Sequence, residues 1–277
     1  MNLGLILIKF KRFNRDLAMI LKIKLAWSKV LAACLILKRL IESLSIISLL
    51  ENYLGINLPY HCLACQLQSD QNLDLCTTCE LHLPYLNDVC LTCSQDLTLI
   101  HEDLYCDACQ ENKPEVQQMI VLFHYQQPIT QWIYQLKFKA NFCSGQVLAE
   151  LLAKRVKAYY HQRILPEVII PIPLHPRRHK QRGYNQVHEI LRGLDNFIPI
   201  RKDLLIRVKD TKAQARLKNN QRRTNLIGAF KASNLGELKY AVLVDDVVTT
   251  KSTLKSAVKT LKKAGIEVVD VWCIARA

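Results

Sequence analysis

Two groups of residues in this chain have the types and spacing to do chemistry. The first is a pair of adjacent carboxylates, Asp245 and Asp246, that closes the apolar run 241–244. Five of the next seven residues are Thr, Lys or Ser, and a helical pattern begins behind them. A strand ending in two acids sets both at the carboxyl edge of a sheet, where open α/β folds bind ligands. The turn Thr249, Thr250, Lys251, Ser252 and Thr253 then leads into a helix. Its backbone N–H groups, hydroxyls and the positive helix end converge on one point, which suits a phosphate. Carboxylates beside that point repel phosphate, but they suit sugar hydroxyls or a bridging Mg2+. The composite ligand is a sugar phosphate with a vicinal diol. A P-loop is excluded, because no G-x4-G-K-[ST] precedes the strand. A phospho-acceptor domain is excluded as well, since its acid pair opens the domain and here only residues 247–277 follow.

The second group is eight of the eleven cysteines, in four C-x2-C pairs: Cys62/Cys65, Cys76/Cys79, Cys90/Cys93 and Cys106/Cys109. Two such turns supply the four sulfurs of a tetrahedral zinc site. Eight thiols hold two zinc ions (Zn2+), both structural because a closed set of four thiolates leaves no open position. Sequential pairing is preferred, with interleaved pairing left open by the spacing. A disulfide framework is excluded by the lack of a secretory signal. Cys34, Cys143 and Cys273 fall outside the pairs and read as buried small hydrophobes. His61, His82 and His101 read as surface residues, because the thiols already fill both sites.

The formal net charge of +14 is unevenly spread. Residues 1–58 carry nine Lys/Arg and three Asp/Glu, residues 59–115 one and ten, and residues 116–277 twenty-eight and eleven. An acidic module therefore sits between two basic ones. The basic surface suggests nucleic acid, nucleotides or phosphorylated substrates. The acidic ribbon is unsuited to gripping DNA and fits a docking face for a protein or for the basic domain. With half its residues hydrophobic, the chain is not disordered.

Three segments position these groups. Residues 1–58 are basic and leucine-rich. The stretch 17–37 is long enough to span a bilayer, but Lys22, Lys24 and Lys29 would each cost roughly 2.5–3.5 kcal/mol near its centre. The segment reads as mostly helical; an amphipathic helix lying on a surface and a mis-called start are both open, and any membrane association would run through this segment alone. Met19 offers a second initiation point. Residues 59–113 are the cysteine module. Residues 116–277 alternate strand-like runs (118–125, 167–174, 225–230, 240–246, 267–275) with helical ones (143–163, 185–194, 252–264). That alternation predicts an α/β domain, a mostly parallel sheet with flanking helices.

Several separated motifs carry a family resemblance. "VLVDDVVTTKST" resembles the phosphoribosyl pyrophosphate (PRPP) signature of type I phosphoribosyltransferases. With the C-x2-C series, "LKF" (136–138), "PIPLHPRRHKQRGYNQ" (171–186) and "TKAQARLKNNQRRTNLIGAF" (211–230), the chain resembles the ComF family of competence-associated proteins over roughly residues 59–277. The resemblance implies a type I phosphoribosyltransferase fold behind a double zinc ribbon. It implies that Asp245 and Asp246 serve the ribose side as the catalytic pair, and that residues 249–253 hold the 5′-phosphate. The basic turn with Arg177, Arg178 and Arg182 would face pyrophosphate. Asn185 and Gln186 would bond a ligand or cap the next helix. A loop with Thr211, Gln214, Leu217, Arg222 and Asn225 would close over the substrate. The family turn has Gly where this chain has Lys251; lysine either adds a charge to the phosphate or crowds the cradle. Residues 201–223, with nine Lys/Arg and no aromatic, suit a nucleic-acid backbone but not base stacking.

Three functions follow. The first binds PRPP with Mg2+ and handles incoming single-stranded DNA in the cytoplasm during natural competence, with a DNA-translocating ATPase as partner. The second is a transferase that passes the phosphoribosyl group to a nitrogen acceptor. The third is a non-catalytic zinc-ribbon nucleic-acid binder.

Overall fold

Each long apolar run in the second half of the chain forms a strand. The computed structural model describes residues 59–97, 104–112, 114–209, 228–233, 235–249 and 251–277. Strands β1 (Met119–His124), β2 (Val168–Pro171), β5 (Tyr240–Val248) and β6 (Val268–Arg276) form one parallel sheet in the order β1-β6-β5-β2. Their near-continuous burial is what a parallel sheet covered on both faces requires. A second sheet pairs β3 (Leu205–Arg207) with β4 (Phe230–Ala232) in antiparallel fashion.

Helices cover the main sheet because their apolar residues recur at helical spacing. α3 (Ile129–Lys139) buries Ile129, Trp132, Ile133 and Leu136. α4 (Phe142–Tyr160) starts at Asn141, whose side chain accepts from Ser144 N at 3.3 Å. These two and α6 (Gln186–Ile190) pack one face into a core that includes Leu148, Leu152 and Trp272. α7 (Ser252–Lys263) buries Leu254, Ala257, Val258 and Leu261 on the other face, where β3 and β4 also lie.

Two sequence expectations change. The acid pair does not end its strand: β5 runs through Val248, and Asp245 is in register with Cys273 of β6. The sheet ladder continues because Val247 and Val248 keep the β-favouring pattern. The basic turn after β2 is largely a helix, α5 (Pro176–Arg182). His175 caps it, Pro176 occupies its first position, where a missing N–H costs nothing, and Gly183 closes it with φ 82°. α3 forms between the expected strand 118–125 and helix 143–163, and its Ile129/Trp132/Ile133/Leu136 period is the reason.

The cysteine module runs through α1 (Thr77–Leu81) and α2 (Asp107–Glu111), each starting directly after a cysteine. Between its two halves the chain passes along the free edge of β1. Tyr85 bridges Phe123, Leu86 N donates to Leu122 O at 2.8 Å, and His124 N donates to Pro84 O at 2.9 Å. This covers an otherwise open strand edge. Residues 60–277 thus form one compact unit. Cys143 and Cys273 are buried, and His61 and His82 are exposed. Cys34, His101 and the segment 1–58 lie outside the described residues.

Candidate functional site

A cavity of about 430 Å³ opens at the carboxyl ends of β2 and β5. It is bounded by β5, the turn into α7, and α5, with α3 contributing Lys137 and Phe138. This is the edge at which parallel α/β sheets bind ligands, because the strand-to-helix turns converge there.

Asp246 is buried and anchors the site. Its Oδ2 accepts from Lys137 Nζ at 2.6 Å and from Gln186 Nε2 at 3.0 Å, and its Oδ1 from Val247 N at 2.8 Å. Gln186 Oε1 in turn accepts from Arg182 Nη1, whose guanidinium lies over the Phe138 ring at 5.3 Å. A cation, an amide and a second cation are thus strung through one carboxylate. Asp245 keeps some surface as a residue, but its carboxyl group is enclosed, and its Oδ1 accepts from Asp246 N at 2.9 Å. Burial and the charge of Asp246 push its carboxyl up to about 7. Two carboxylates this close favour a bound cation, or a proton in its place.

The turn into α7 faces them. Thr249, Lys251, Ser252 and Thr253 line the cavity; Ser252 and Thr253 already belong to the helix, so its positive end points inward. Lys251 is the N-cap, with φ 58° and ψ −4°, and no side-chain cap bond. Thr250 lies outside the described residues. Arg178 and Arg182 line the opposite wall, whereas Arg177 stands exposed on α5 outside the cavity. Asn185 is buried and engaged in structure: its Oδ1 accepts from Val187 N at 3.1 Å, capping α6, and its Nδ2 donates to Ile172 O at 3.1 Å. Thr211, Gln214, Leu217, Arg222 and Asn225 lie outside the described residues, in the segment that joins β3 to β4.

Four charged or aromatic lining residues were not picked out as site residues from the sequence: Tyr125, Lys137, Phe138 and Arg207. Lys137 and Phe138 sit inside the LKF motif, which was the available signal. Arg207 is buried beneath the rim, with its guanidinium 5.5 Å from the centre of the Phe230 ring. It came from a basic run with nothing local to single it out.

The eight paired cysteines form two clusters in sequential order. Cys62, Cys65, Cys76 and Cys79 make one; Cys90, Cys93, Cys106 and Cys109 make the other, and within each all sulfurs lie within 4.8 Å of one another. Cys65 and Cys76 sulfurs are 3.9 Å apart, and Cys93 and Cys106 sulfurs 3.6 Å. A tetrahedron with Zn–S bonds of about 2.3 Å has edges of about 3.8 Å, so the donor sets fit zinc. Burial opposes ionisation of Cys62, but N–H groups of Cys65, Cys76 and Ala64 outweigh it and hold the thiol down to about 6. Both sites are closed and structural.

Comparison with known proteins agrees with this architecture. The double zinc ribbon domain family matches residues 53–110. Competence protein F of Haemophilus influenzae is 39% identical over 180 residues, covering 62% of this chain and 79% of that protein. The DNA utilization protein YhgH of Escherichia coli is 33% identical over 187 residues, covering 65% and 81%. Competence protein ComFC of Streptococcus pneumoniae is 26% identical over 155 residues, covering 56% and 66%.

Proposed function

The chain belongs to the ComF family, and from that premise we propose that its carboxyl-edge cavity binds PRPP with Mg2+ in the handling of incoming single-stranded DNA. One observation carries the reading: an acid pair, the N-terminus of α7 and two arginines face one cavity. The helix end and the hydroxyls of Thr249, Ser252 and Thr253 take the 5′-phosphate, which the carboxylates would repel. Asp245 and Asp246 take the ribose diol. Arg178 and Arg182 take pyrophosphate oxygens, for which guanidinium forks are matched. Mg2+ held at the acid pair would neutralise charge shared between the carboxylates and the diphosphate. Lys137 and Gln186 fix the Asp246 carboxylate so that no reorganisation is needed when ligand arrives.

The DNA side of the reading draws on the competence and DNA-utilization names of the relatives. Residues 116–277 act as the ligand-binding domain, the ribbon as a docking module, the cytoplasm as the place of work, and a DNA-translocating ATPase as partner. Among the described residues no helix is long and apolar enough to cross a membrane. The basic segment 201–223 supplies backbone contacts to single-stranded DNA.

A second reading adds turnover. Phe138 is 63% exposed at the cavity mouth and offers a stacking face for a nitrogen heterocycle. The anomeric C–O bond to pyrophosphate would break, a C–N bond to the acceptor would form, pyrophosphate would leave, and the nitrogen would lose its proton to solvent.

Isothermal titration of PRPP with Mg2+ into the zinc-loaded chain, beside Asp245→Asn/Asp246→Asn, tests binding. The expected result is saturable heat in the wild type and at least about a tenfold loss in the variant, the effect of one strong charge-assisted contact. No heat with the wild type would reject the site. Asp245→Asn alone gives a second readout. A carboxyl held up to about 7 destabilises the fold as pH rises from the ordinary carboxylate range to about 7, because folding then opposes its ionisation. The single variant is therefore expected to melt higher than wild type at pH 8 while binding PRPP more weakly. A lower melting temperature there would contradict the charge conflict.

A further inference from the structure

The basic segment 201–223 suits a phosphate backbone but contains no aromatic, so a surface that stacks unpaired bases must lie elsewhere. Among the described residues the exposed aromatic side chains are Tyr105, Tyr125, Tyr134 and Phe138. Tyr105 belongs to the ribbon. Tyr125 and Phe138 line the mouth of the cavity, and Tyr134 stands one helical turn before Phe138 on α3.

Tyr134 and Phe138 form a pair. Positions four apart on a helix share a face, and the centres of these two rings are 5.1 Å apart. Tyr134 is 53% exposed and Phe138 63%, while Trp132, Ile133 and Leu136 of the same helix are buried in the core. Single exposed apolar residues are ordinary, but adjoining rings rimmed by polar groups mark an interaction surface.

That rim comes from α5 and is fixed to α3. The Arg182 guanidinium lies 5.3 Å from the centre of the Phe138 ring. Just past α5, Tyr184 OH donates to Leu136 O, and the Tyr184 ring packs 5.3 Å from that of Phe142 at the start of α4. The charge of the rim has one sign. Residues 116–149 and 168–188, which build this face, hold six Lys/Arg and no Asp or Glu. Lys139, Arg177 and Lys180 are exposed there and lie outside the cavity lining, whereas Arg178 and Arg182 line it.

We propose that the α3–α5 face is a platform for single-stranded DNA, on which bases stack against Tyr134 and Phe138 and phosphates pair with Lys139, Arg177 and Lys180. It rests on the single-stranded-DNA half of the reading above and does not need PRPP. Arg177, which the cavity leaves out, thereby has a ligand. Exposed rings with a rim of one sign fit a polyanion that carries π faces. A duplex lacks the second feature, because its bases are paired and stacked on one another. Holding a base between two rings takes roughly 6.8 Å, twice the stacking rise of about 3.4 Å. Rings 5.1 Å apart leave no such slot, so bases lie along the pair rather than within it. Phe138 puts one end of this track at the cavity mouth.

The test is fluorescence anisotropy of a labelled oligothymidylate of about fifteen nucleotides, titrated with the zinc-loaded, full-length chain. Phe138→Ala is expected to weaken binding about tenfold and Tyr134→Ala about fivefold, the scale of one lost stacking contact. Phe138→Leu keeps apolar bulk without a π face and loses as much as Phe138→Ala. Phe138→Trp binds within about twofold of wild type. The ring variants leave the slope of log affinity against log salt unchanged, whereas Arg177→Gln/Lys180→Gln lowers it by about 1.4, the share of two phosphates on a single strand. An abasic strand of the same length binds wild type and Phe138→Ala alike. Wild type that binds the oligothymidylate no better than the Tyr134 and Phe138 variants overturns the platform. That result leaves the single-stranded-DNA reading standing and gives the face to a protein partner. Full binding by Phe138→Leu also overturns it, since apolar contact without stacking would then suffice. No binding by wild type rejects the single-stranded-DNA reading and the platform together.

Discussion

The two cysteine clusters share one local design and differ in what they touch. Each is two C-x2-C turns with a short helix after the third cysteine, and each brings four sulfurs within 4.8 Å. The first settles against the helical face of the domain. Cys62, Leu73, Leu75 and Leu83 join the core that α3 and α4 build, while Glu80 accepts from Lys154 Nζ at 2.6 Å and from Gln71 Nε2 at 3.1 Å. The second settles against the edge of the sheet at two places: Ser94 Oγ donates to Met119 O at the start of β1, and Arg276 at the end of β6 donates to Cys93 O and Gln95 Oε1. The lesson is that a metal motif fixes a module's own shape and says nothing of its reach. Apolar docking makes the first cluster a brace. Polar docking ties the second to Arg276, which is in register with Val248 of the cavity lining.

Removing both zinc ions erases the comparison and has the largest effect. Apparent binding energies of about 10–16 kcal/mol per closed thiolate site are folding energy for a small module. The ribbon should therefore unfold on chelation, with loss of the melting transition it shares with the domain; a chelated chain that melts unchanged would contradict a structural role. Opening one cluster at a time sharpens the contrast. Cys109→Ser should weaken PRPP binding about fivefold or more, whereas Cys65→Ser should leave it within about twofold, although both lower stability. Equal losses by titration would mean that the clusters act alike. Smaller still is the docking of the second cluster: Arg276→Met removes two charge-assisted bonds and should cost about 2 kcal/mol in urea unfolding. Lys154→Met breaks the exposed ion pair of the first cluster and should cost under about 1 kcal/mol. The reverse order in those two melts would break the distinction between brace and contact.

The parts of this site that lie close together in sequence were legible in the sequence, and the parts assembled from afar were not. Asp245, Asp246, Thr249, Ser252 and Thr253 announced themselves because the strand, the turn and the helix start are consecutive. Lys137 and Gln186, which hold Asp246, come from positions 109 and 60 residues earlier; no local pattern shows that they meet. Asn185 could have met a ligand or capped a helix, and only packing shows that it caps. The place and direction of β5 and β6 followed from their apolar runs, although β5 continues two residues past the acid pair. α5 did not, because a run of Arg, His and Lys reads as solvated turn until His175, Pro176 and Gly183 are recognised as its two ends. Zinc pairing was open because gaps of ten, ten and twelve residues permit both schemes. Lys251 was visible as an oddity in its turn, and its backbone does take the left-handed conformation, φ 58°, that glycine favours.

The most direct measurement is a crystal structure of the zinc-loaded chain with Mg2+ and PRPP. The account predicts the 5′-phosphate against the backbone of residues 249–253, the ribose diol at Asp245 and Asp246, and pyrophosphate toward Arg178 and Arg182. PRPP bound elsewhere, or a cavity that stays empty at saturating ligand, would contradict it.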